Sequence, residues 1–204
     1  MNRFFFFGWV LVLVLYSCGN DQGDLPVLGE AMMVDGKPVY PRIADFDFIN
    51  QDGHQLTNTN FRDKVYVANF IFLSCPTICP VMTRELKKVY DVYASDNRVL
   101  FLSHTIDPER DTIPRLKAYA DALGVSAPKW HFVTGNQDSI MNLAKNSYYS
   151  AADSDSTAPG GFMHSGGSLL IDKNRNIRGV YNSLDPKETD RLIADIKRLL
   201  REQF

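Results

Sequence analysis

The fold is decided by residues 65–73, VYVANFIFL, followed at once by residues 74–80, SCPTICP. The first segment is almost continuously apolar, which predicts a central strand covered on both faces of its sheet. Apolar residues then recur at helical spacing from Met82 to Tyr93. The sequence therefore predicts a buried strand, a turn that carries two cysteines, and a helix.

Segments on both sides of this unit predict the rest of one domain. The predicted elements are a strand at 45–48 with a turn at 50–53, a strand at 99–102, a helix from Asp111-Thr112 to Gly124, a strand at 129–133, a helix at 138–145, a hairpin of strands at 168–171 and 177–181, and a closing helix around 192–200. This order predicts an α/β, thioredoxin-like fold with a central mixed sheet flanked by helices. Residues 148–166, rich in Ser, Asp, Ala and Gly, predict a long functional or mobile loop inserted before the C-terminal hairpin.

The N-terminus has the pattern of an export signal. A short basic start precedes residues 4–16, an apolar run too short for a comfortable membrane span of about 20 residues. Residues 15–19 (LYSCG) resemble a bacterial lipobox, although Tyr16 is bulkier than usual. We predict a lipoprotein signal peptide at 1–17 and lipidation of Cys18, with an uncleaved anchor or an ordinary signal peptide as alternatives. Each version exports the chain, and the lipid would anchor it to a membrane with its domain in the periplasm or another extracytoplasmic space.

The predicted domain organisation and the net charge argue against some classes of function. Residues 18–40 hold Gly, Asp and Pro with few aromatics, and predict a lipidated N-terminus followed by a flexible tether. Residues 41–204 predict one thioredoxin-like domain. With 22 basic and 24 acidic residues the net charge is −2, which argues against nucleic-acid binding and against a polybasic membrane-surface site. No feature requires more than a monomer.

Cys75 and Cys79 are the cysteines that remain if Cys18 carries lipid. They are too close in sequence to staple a domain, so redox chemistry or metal binding explains them better. Pro80 is a natural first helical residue, which places Cys79 at the helix N-terminus, where the dipole would lower its thiol pKa. A low-pKa thiolate is both a metal ligand and a nucleophile. The spacing, one residue wider than in the thioredoxin redox motif, can close a disulfide or let both thiolates converge on one ion.

The type of metal follows from the donor atoms. Two soft thiolates in an exported protein favour Cu(I), and an added imidazole gives a site that also holds Cu(II). Zinc would normally need a fourth ligand. His164 is the candidate third ligand, because it ends the long loop and precedes the hairpin, where thioredoxin-like folds face the cysteine turn. The alternative for His164 is a solvent-exposed loop histidine.

Several separated motifs occur together in a characteristic order. They are FIFLSCPTICP at 70–80, IDPERDT at 106–112, a tyrosine pair at 148–149, and His164 before a strand. Together they resemble the Sco/SenC family over roughly residues 43–200. Members are copper proteins of thioredoxin fold that help to build the binuclear copper A site of cytochrome c oxidase.

The resemblance implies a copper site, for Cu(I) or Cu(II), with Cys75, Cys79 and His164 as ligands. Two positions depart from the family pattern, because Thr77 and Met163 stand where aspartate is common. Negative charge is therefore missing beside the metal. Met163 is better explained as a residue that fills a gap in packing than as a ligand.

Three functions would use these cysteines. The leading one is a copper metallochaperone, a binding protein that receives copper from an upstream donor and serves the copper A subunit of cytochrome c oxidase or another cupro-protein. The alternative is a thiol-disulfide reductase, in which Cys75 and Cys79 are the catalytic redox-active pair that keeps a copper-receiving partner reduced. A peroxiredoxin-like peroxide reductase is weaker, because no supporting arginine can be placed.

Other polar residues are predicted to be structural. After the 99–102 strand, an ion pair and a helix N-cap are favoured over a docking surface or a brace for the site; the residues are Asp107, Arg110 and Asp111. The remaining histidines have no useful spacing to the cysteines. His104, at the end of its strand, is predicted to be hydrogen-bonded; the other two are His54 and His131.

Overall fold

The structure, a computed structural model, describes residues 23–150, 152–154, 162–164 and 166–204. The strands are β1 (Met32–Val34), β2 (Lys37–Val39), β3 (Asp47–Asn50), β4 (Gln55–Thr57), β5 (Val65–Ile71), β6 (Val99–Thr105), β7 (Trp130–Thr134), β8 (Ala152–Ser154), β9 (Phe162–His164), β10 (Gly167–Ile171) and β11 (Ile177–Asn182). The helices are α1 (Ile78–Tyr93), α2 (Ile113–Ala122), α3 (Gln137–Asn146) and α4 (Pro186–Gln203), with a 3-10 helix at Asn58–Phe61.

A mixed seven-stranded sheet, in the order β11-β10-β5-β6-β7-β3-β4, forms the centre. β5, β6 and β7 are parallel, and the outer strands join them antiparallel. Every residue of β5 and β6 is buried, as a parallel strand covered on both faces requires. Helix α4 packs on α1, where the Tyr93 hydroxyl donates to the Ile193 carbonyl over 2.7 Å. The predicted α/β, thioredoxin-like arrangement is confirmed.

Helix α1 begins earlier than predicted. Its N-cap is Thr77, so Cys79 and Pro80 both lie inside the first turn. Proline is tolerated there because the first-turn N–H groups have no partner within the helix. The Thr77 side chain makes no capping hydrogen bond. The prediction that Pro80 starts the helix was therefore wrong by two residues.

The segment between α3 and β10 is not wholly a loop. β8 and β9 form a two-stranded antiparallel sheet in which Ala152 is opposite His164 and Ser154 is opposite Phe162. Residue 151, residues 155–161 and residue 165 lie outside the described part. The insertion before the C-terminal hairpin is thus present, and it carries a small hairpin of its own.

Part of the segment predicted as a flexible tether contacts the domain. Leu25 is buried, and its N–H donates to Glu202 over 3.2 Å. The Leu28 N–H donates to the Ile177 carbonyl over 2.8 Å. The buried guanidinium of Arg178 explains this packing, because it donates to the carbonyls of Leu25 and Pro26 and so satisfies donors that would otherwise be unpaired.

The predicted signal peptide at 1–17 and the predicted lipidation at Cys18 lie outside the described residues. Within the described part, no helix has the length and apolar character needed to cross a bilayer.

Candidate functional site

The cysteine turn joins the C-terminal end of β5 to α1, the edge at which open α/β sheets place their ligands. The Cys75 N–H donates to the Phe72 carbonyl over 3.2 Å, which closes the turn. The Cys79 N–H, in the first turn of α1, donates to the Cys75 sulfur over 3.5 Å. Cys75 is 7% exposed and Cys79 is 4% exposed. Both are present as thiols, so two soft sulfur donors share one nearly dry turn.

The two thiols have opposite acidities. Burial alone would raise the pKa of Cys75, but hydrogen bonds from the N–H groups of Cys79 and Thr77 and from their side chains outweigh it, and the pKa is lowered. Burial, the largest cause, acts together with the neighbouring charges of Cys75 and Asp111 to raise the pKa of Cys79 to about 12. The turn therefore presents one activated sulfur and one protonated sulfur.

This result corrects the assignment made from sequence, which placed the lowered pKa at Cys79. Because α1 starts at Ile78, the N–H of Cys79 is one of the unpaired donors of the first helical turn. That donor points at the sulfur of Cys75 and not at the sulfur of its own residue. The positive end of the helix consequently stabilises a Cys75 thiolate.

Asp111 braces the cysteine turn through a hydrogen bond to the backbone just before it. Its Oδ2 accepts from the Leu73 N–H over 3.0 Å and from the Thr105 hydroxyl over 2.6 Å. Oδ1 accepts no hydrogen bond from the described residues, and it lies 3.7 Å from the Arg115 guanidinium. Burial raises the pKa of this carboxyl. The brace, which sequence reasoning ranked below an N-cap, is the role that Asp111 has, since the N-cap of α2 is Thr112.

The ion pair predicted beside Asp111 is present. Arg110 Nε lies 2.5 Å from Asp107 Oδ2, with Asp107 buried and Arg110 half-exposed. The Arg110 guanidinium also lies 5.9 Å from the centre of the Phe162 ring, in β9. Phe162 in turn packs against Phe72, with ring centres 5.5 Å apart. Sequence reasoning did not single out Phe162, whose contacts hold β9 beside the cysteine turn.

His164 is described only by its backbone, as the last residue of β9 and opposite Ala152. Its side chain, and that of Met163, lie outside the described part of the structure. Among the side chains that are described, no third His, Cys, Asp or Glu joins the two cysteines in a metal site. The Thr77 hydroxyl lies 3.8 Å from the Cys75 sulfur. A third ligand from β9 remains the prediction made from sequence.

The other histidines differ from one another. His131 is structural, with Nδ1 3.3 Å from the Asn50 amide nitrogen, whereas His54 is exposed. The prediction for His104 was wrong, because neither ring nitrogen has a hydrogen-bond partner among the described residues. Its ring instead stacks on Phe70 at 5.0 Å, and burial lowers its pKa to about 3.

The chain is similar to known proteins in both sequence and fold. The SCO1/SenC family model matches residues 35–201. A SCO1/SenC family lipoprotein from Bacillus anthracis is 29% identical, with a TM-score of 0.71 over 78% of this chain and 95% of that one. BsSco, a member of the Sco family of cytochrome c oxidase assembly proteins in which a disulfide switch was identified, is 29% identical, with a TM-score of 0.68 over 79% and 94%.

A third solved structure contains metal. Bradyrhizobium japonicum ScoI with copper bound is 25% identical, with a TM-score of 0.64 over 76% of this chain and 98% of that one. The residues matched by the family model, 35–201, include both the seven-stranded sheet and the cysteine turn.

Proposed function

Because the chain belongs to the SCO1/SenC family, we propose that it is a copper-binding metallochaperone that helps to assemble the copper A site of cytochrome c oxidase. The observation that carries the proposal is the pair of sulfurs of Cys75 and Cys79 on one buried turn at a helix N-terminus. Related proteins solved with copper bound, and a related oxidase assembly protein, support it.

The donor set suits copper as cargo. Thiolate sulfur is soft and selects Cu(I), and a third, imidazole ligand would also accommodate Cu(II). We assign that ligand to His164. Support comes from Phe162, two residues earlier in β9, whose contact with Phe72 holds this strand beside the turn. No described carboxylate joins the cysteines in a metal site, so the protein ligands would be two sulfurs and one imidazole.

Copper loading displaces protons. The lowered pKa of Cys75 makes its sulfur the first to be available, while the Cys79 thiol, with a pKa of about 12, loses its proton only as the metal binds. A site of this kind loads more weakly as the pH falls. It also returns the proton to Cys79 when a partner removes the copper, which favours release. The partners in this scheme are an upstream copper donor and the copper A subunit or another cupro-protein.

The pKa asymmetry favours a second function, thiol-disulfide reduction. The Cys75 thiolate would attack a disulfide of a copper-receiving partner and form a mixed disulfide, with one partner sulfur leaving as a thiol. Cys79, once deprotonated, would attack the Cys75 sulfur, release the second partner thiol and leave a Cys75–Cys79 disulfide. The partner gains two electrons and this pair loses two, so an external dithiol must reset the protein.

Replacing His164 with alanine separates the two functions, and His54→Ala is the matched control on an exposed histidine. The reduced protein should bind about one copper per chain, with sulfur-to-copper charge transfer in the visible for Cu(II). His164→Ala should lose most Cu(II) retention, yet exchange with a small disulfide should stay within several-fold of normal, because exchange depends on the thiolate. His54→Ala should match the parent in both.

Several outcomes would contradict the copper proposal. Uptake of zinc without copper under matched conditions would do so, as would full copper stoichiometry after oxidation to the disulfide. Cellular oxidase assembly supported by copper-free His164→Ala protein would favour the reductase.

We further propose that the chain is exported, that residues 1–17 are removed and that Cys18 carries lipid. The lipobox-like sequence and the related lipoprotein support this. Intact mass after detergent extraction tests it, and a chain that begins at Met1 without modification would contradict it. Cys18→Ala should abolish the mass of the lipid, whereas Ser17→Ala should retain it.

A further inference from the structure

The end of the sheet opposite the cysteine turn is basic. Arg42, Arg62, Lys173 and Arg175 line a pocket of about 180 Å³, together with Asn58, Thr59 and Phe61. These cations come from distant parts of the sequence: the approach to β3, the residues before β5, and the turn between β10 and β11. They come together only in the folded chain, so the net charge of −2 gives no indication of this local basic cluster.

Most of this charge is not neutralised. Arg175 pairs with Asp45, and in the described part of the chain it is the only one of the four with a carboxylate partner. Arg42 Nε donates to the Asn174 carbonyl over 2.8 Å, and Lys173 Nζ donates to the Gln203 carbonyl over 2.6 Å. Both contacts hold a cation in place and leave its charge uncompensated.

The basic character continues around the same end. An adjoining hollow is lined by Lys64, Lys129 and Asn60 among others. Lys129 Nζ donates to the carbonyls of Asp96 and Val99, both over 2.6 Å, and these contacts hold it in place. Lys64 directly precedes β5 and Lys129 directly precedes β7. Because these strands are parallel, both lysines lie at the same end of the sheet as the pocket.

The N-terminal segment joins the domain at this end as well. Arg178, which holds the carbonyls of Leu25 and Pro26, is also bonded to Asp172, the first residue of the turn that carries Lys173. The first described residues therefore contact the domain at the end of the sheet that carries the basic pocket. The cysteine turn lies beyond the other end of β5, about 20 Å away at the rise of a strand.

We propose that the pocket formed by Arg42, Arg62, Lys173 and Arg175 binds phosphate-bearing headgroups of an anionic membrane surface. Headgroup phosphates attract clustered Lys and Arg within about 10 Å of the surface, and Arg matches phosphate with paired N–H donors. Docking by this end directs the cysteine turn away from the lipid, toward a partner. The net charge of the whole chain argued against a polybasic membrane site. Net charge does not show that the fold gathers basic residues at one end of the domain.

Hydrogen exchange of the full chain in nanodiscs tests the proposal. Discs of phosphatidylcholine alone are compared with discs that also contain phosphatidylglycerol. Phosphatidylglycerol should slow amide exchange at 58–62 and 172–176 by about tenfold, the effect expected for a few basic contacts, and leave the cysteine turn unchanged. High salt should remove the difference.

The test variant is Arg62→Glu with Lys173→Glu, and it should lose the protection. Its matched control is Arg84→Glu with Lys187→Glu, which changes the net charge equally at two exposed positions, one in α1 and one in α4. The control should retain the protection. Urea unfolding checks that the test variant is folded, and Arg62→Gln with Lys173→Gln should give an intermediate loss. Equal protection in both kinds of disc, equal loss in the control, or protection at the cysteine turn would overturn the proposal.

Discussion

A buried aspartate lies at each end of the sheet, and the two differ in how completely their oxygens are hydrogen-bonded. At the basic end, Asp172 Oδ1 accepts from the N–H groups of Asn174 and Asn176 at 2.9 and 2.8 Å. Its Oδ2 accepts from Arg178 and Gln203, both at 3.2 Å. Each oxygen is satisfied and the charge is paired, so this carboxylate fixes one conformation of the turn.

At the cysteine end the polar groups are incompletely satisfied. Asp111 is fully buried, but its Oδ1 accepts no hydrogen bond from any described residue. His104, whose strand position is opposite Phe70, has no described partner on either nitrogen. From this difference we expect the end that contains Asp172 to contribute more to stability. The end with the thiols keeps groups that respond to protonation.

Asp172→Ala should give the largest loss of stability. It leaves the Arg178 cation with only Glu202 as its carboxylate partner and removes four accepted hydrogen bonds, so the free energy of unfolding should fall by about 3–5 kcal/mol. Urea denaturation measures it. Asp45→Ala is the control, because the exposed pair of Asp45 with Arg175 should contribute about 1 kcal/mol or less. Similar losses of unfolding free energy in both variants would contradict the expected difference between the buried, fully hydrogen-bonded Asp172 and the exposed Asp45.

Alkylation should sharpen the contrast within the cysteine turn. At neutral pH, Cys75 should react with iodoacetamide about 100-fold faster than Cys79, since each unit of pKa changes the thiolate fraction roughly tenfold and the greater nucleophilicity of the high-pKa thiolate offsets only part of that difference. Mass spectrometry of the digested protein resolves the two rates. Cys79 should stay slow in Cys75→Ser, because burial and not the neighbouring sulfur dominates its pKa. Equal rates would mean that the first helical turn does not favour Cys75.

His104 should make the fold sensitive to acid. Its pKa is about 3 in the folded state and about 6.5 when unfolded, so only the unfolded chain takes up this proton below pH 6.5. Stability therefore falls as the pH drops, by about 2 kcal/mol at pH 5. His131, with a pKa of about 4, adds a second such loss.

His104→Phe tests this through the slope of stability against pH between 6.5 and 5. The variant should lose about half of the slope, because one of the two protons is no longer taken up on unfolding. The slope is independent of any packing change that the larger ring causes at pH 8. A slope unchanged from the parent would mean that His104 is protonated or partnered in the folded protein.

Asp111→Asn should have the smallest effect. The amide oxygen can still accept from Leu73 and Thr105, so at pH 7 the free energy of unfolding should change by only about 1 kcal/mol or less. Burial raises the folded pKa above the unfolded value of about 3.9, so the parent loses stability relative to the variant as the pH rises through this window. Urea unfolding at pH 4 and pH 7 compares them. A loss as large as that of Asp172→Ala would equate the two ends.

The fold was predictable where apolar patterning is dense. Residues 65–71 and 99–105 are buried strands whose sequences allow little else, and the Asp172 turn was correctly placed between two strands. The position of the cysteines at a strand-to-helix junction followed from the same patterning.

The finer electrostatics of the site were not predictable. A shift of two residues in the start of α1 transferred the helix N–H from one sulfur to the other, and no periodicity fixes a helix end to that accuracy. Asp111 was singled out from the sequence, but its role was not, because its partner is the backbone N–H of Leu73, which has no sequence signature. Likewise, nothing in the sequence of the tether shows that Arg178, more than 150 positions later, would hold Leu25.

The attachment of Leu25 determines the path of mechanical load. Tension on the residues that precede it passes into α4 through Glu202, which accepts the Leu25 N–H over 3.2 Å, and into β11 through Arg178, which donates to the Leu25 carbonyl. Arg178 and Glu202 are joined to each other by charge-assisted hydrogen bonds of 2.6 and 2.8 Å. β11 is the outermost strand, and β10 separates it from β5. A tug on the N-terminus is therefore borne by one edge of the sheet, and the sulfurs at the far end of β5 keep their geometry while the molecule is pulled.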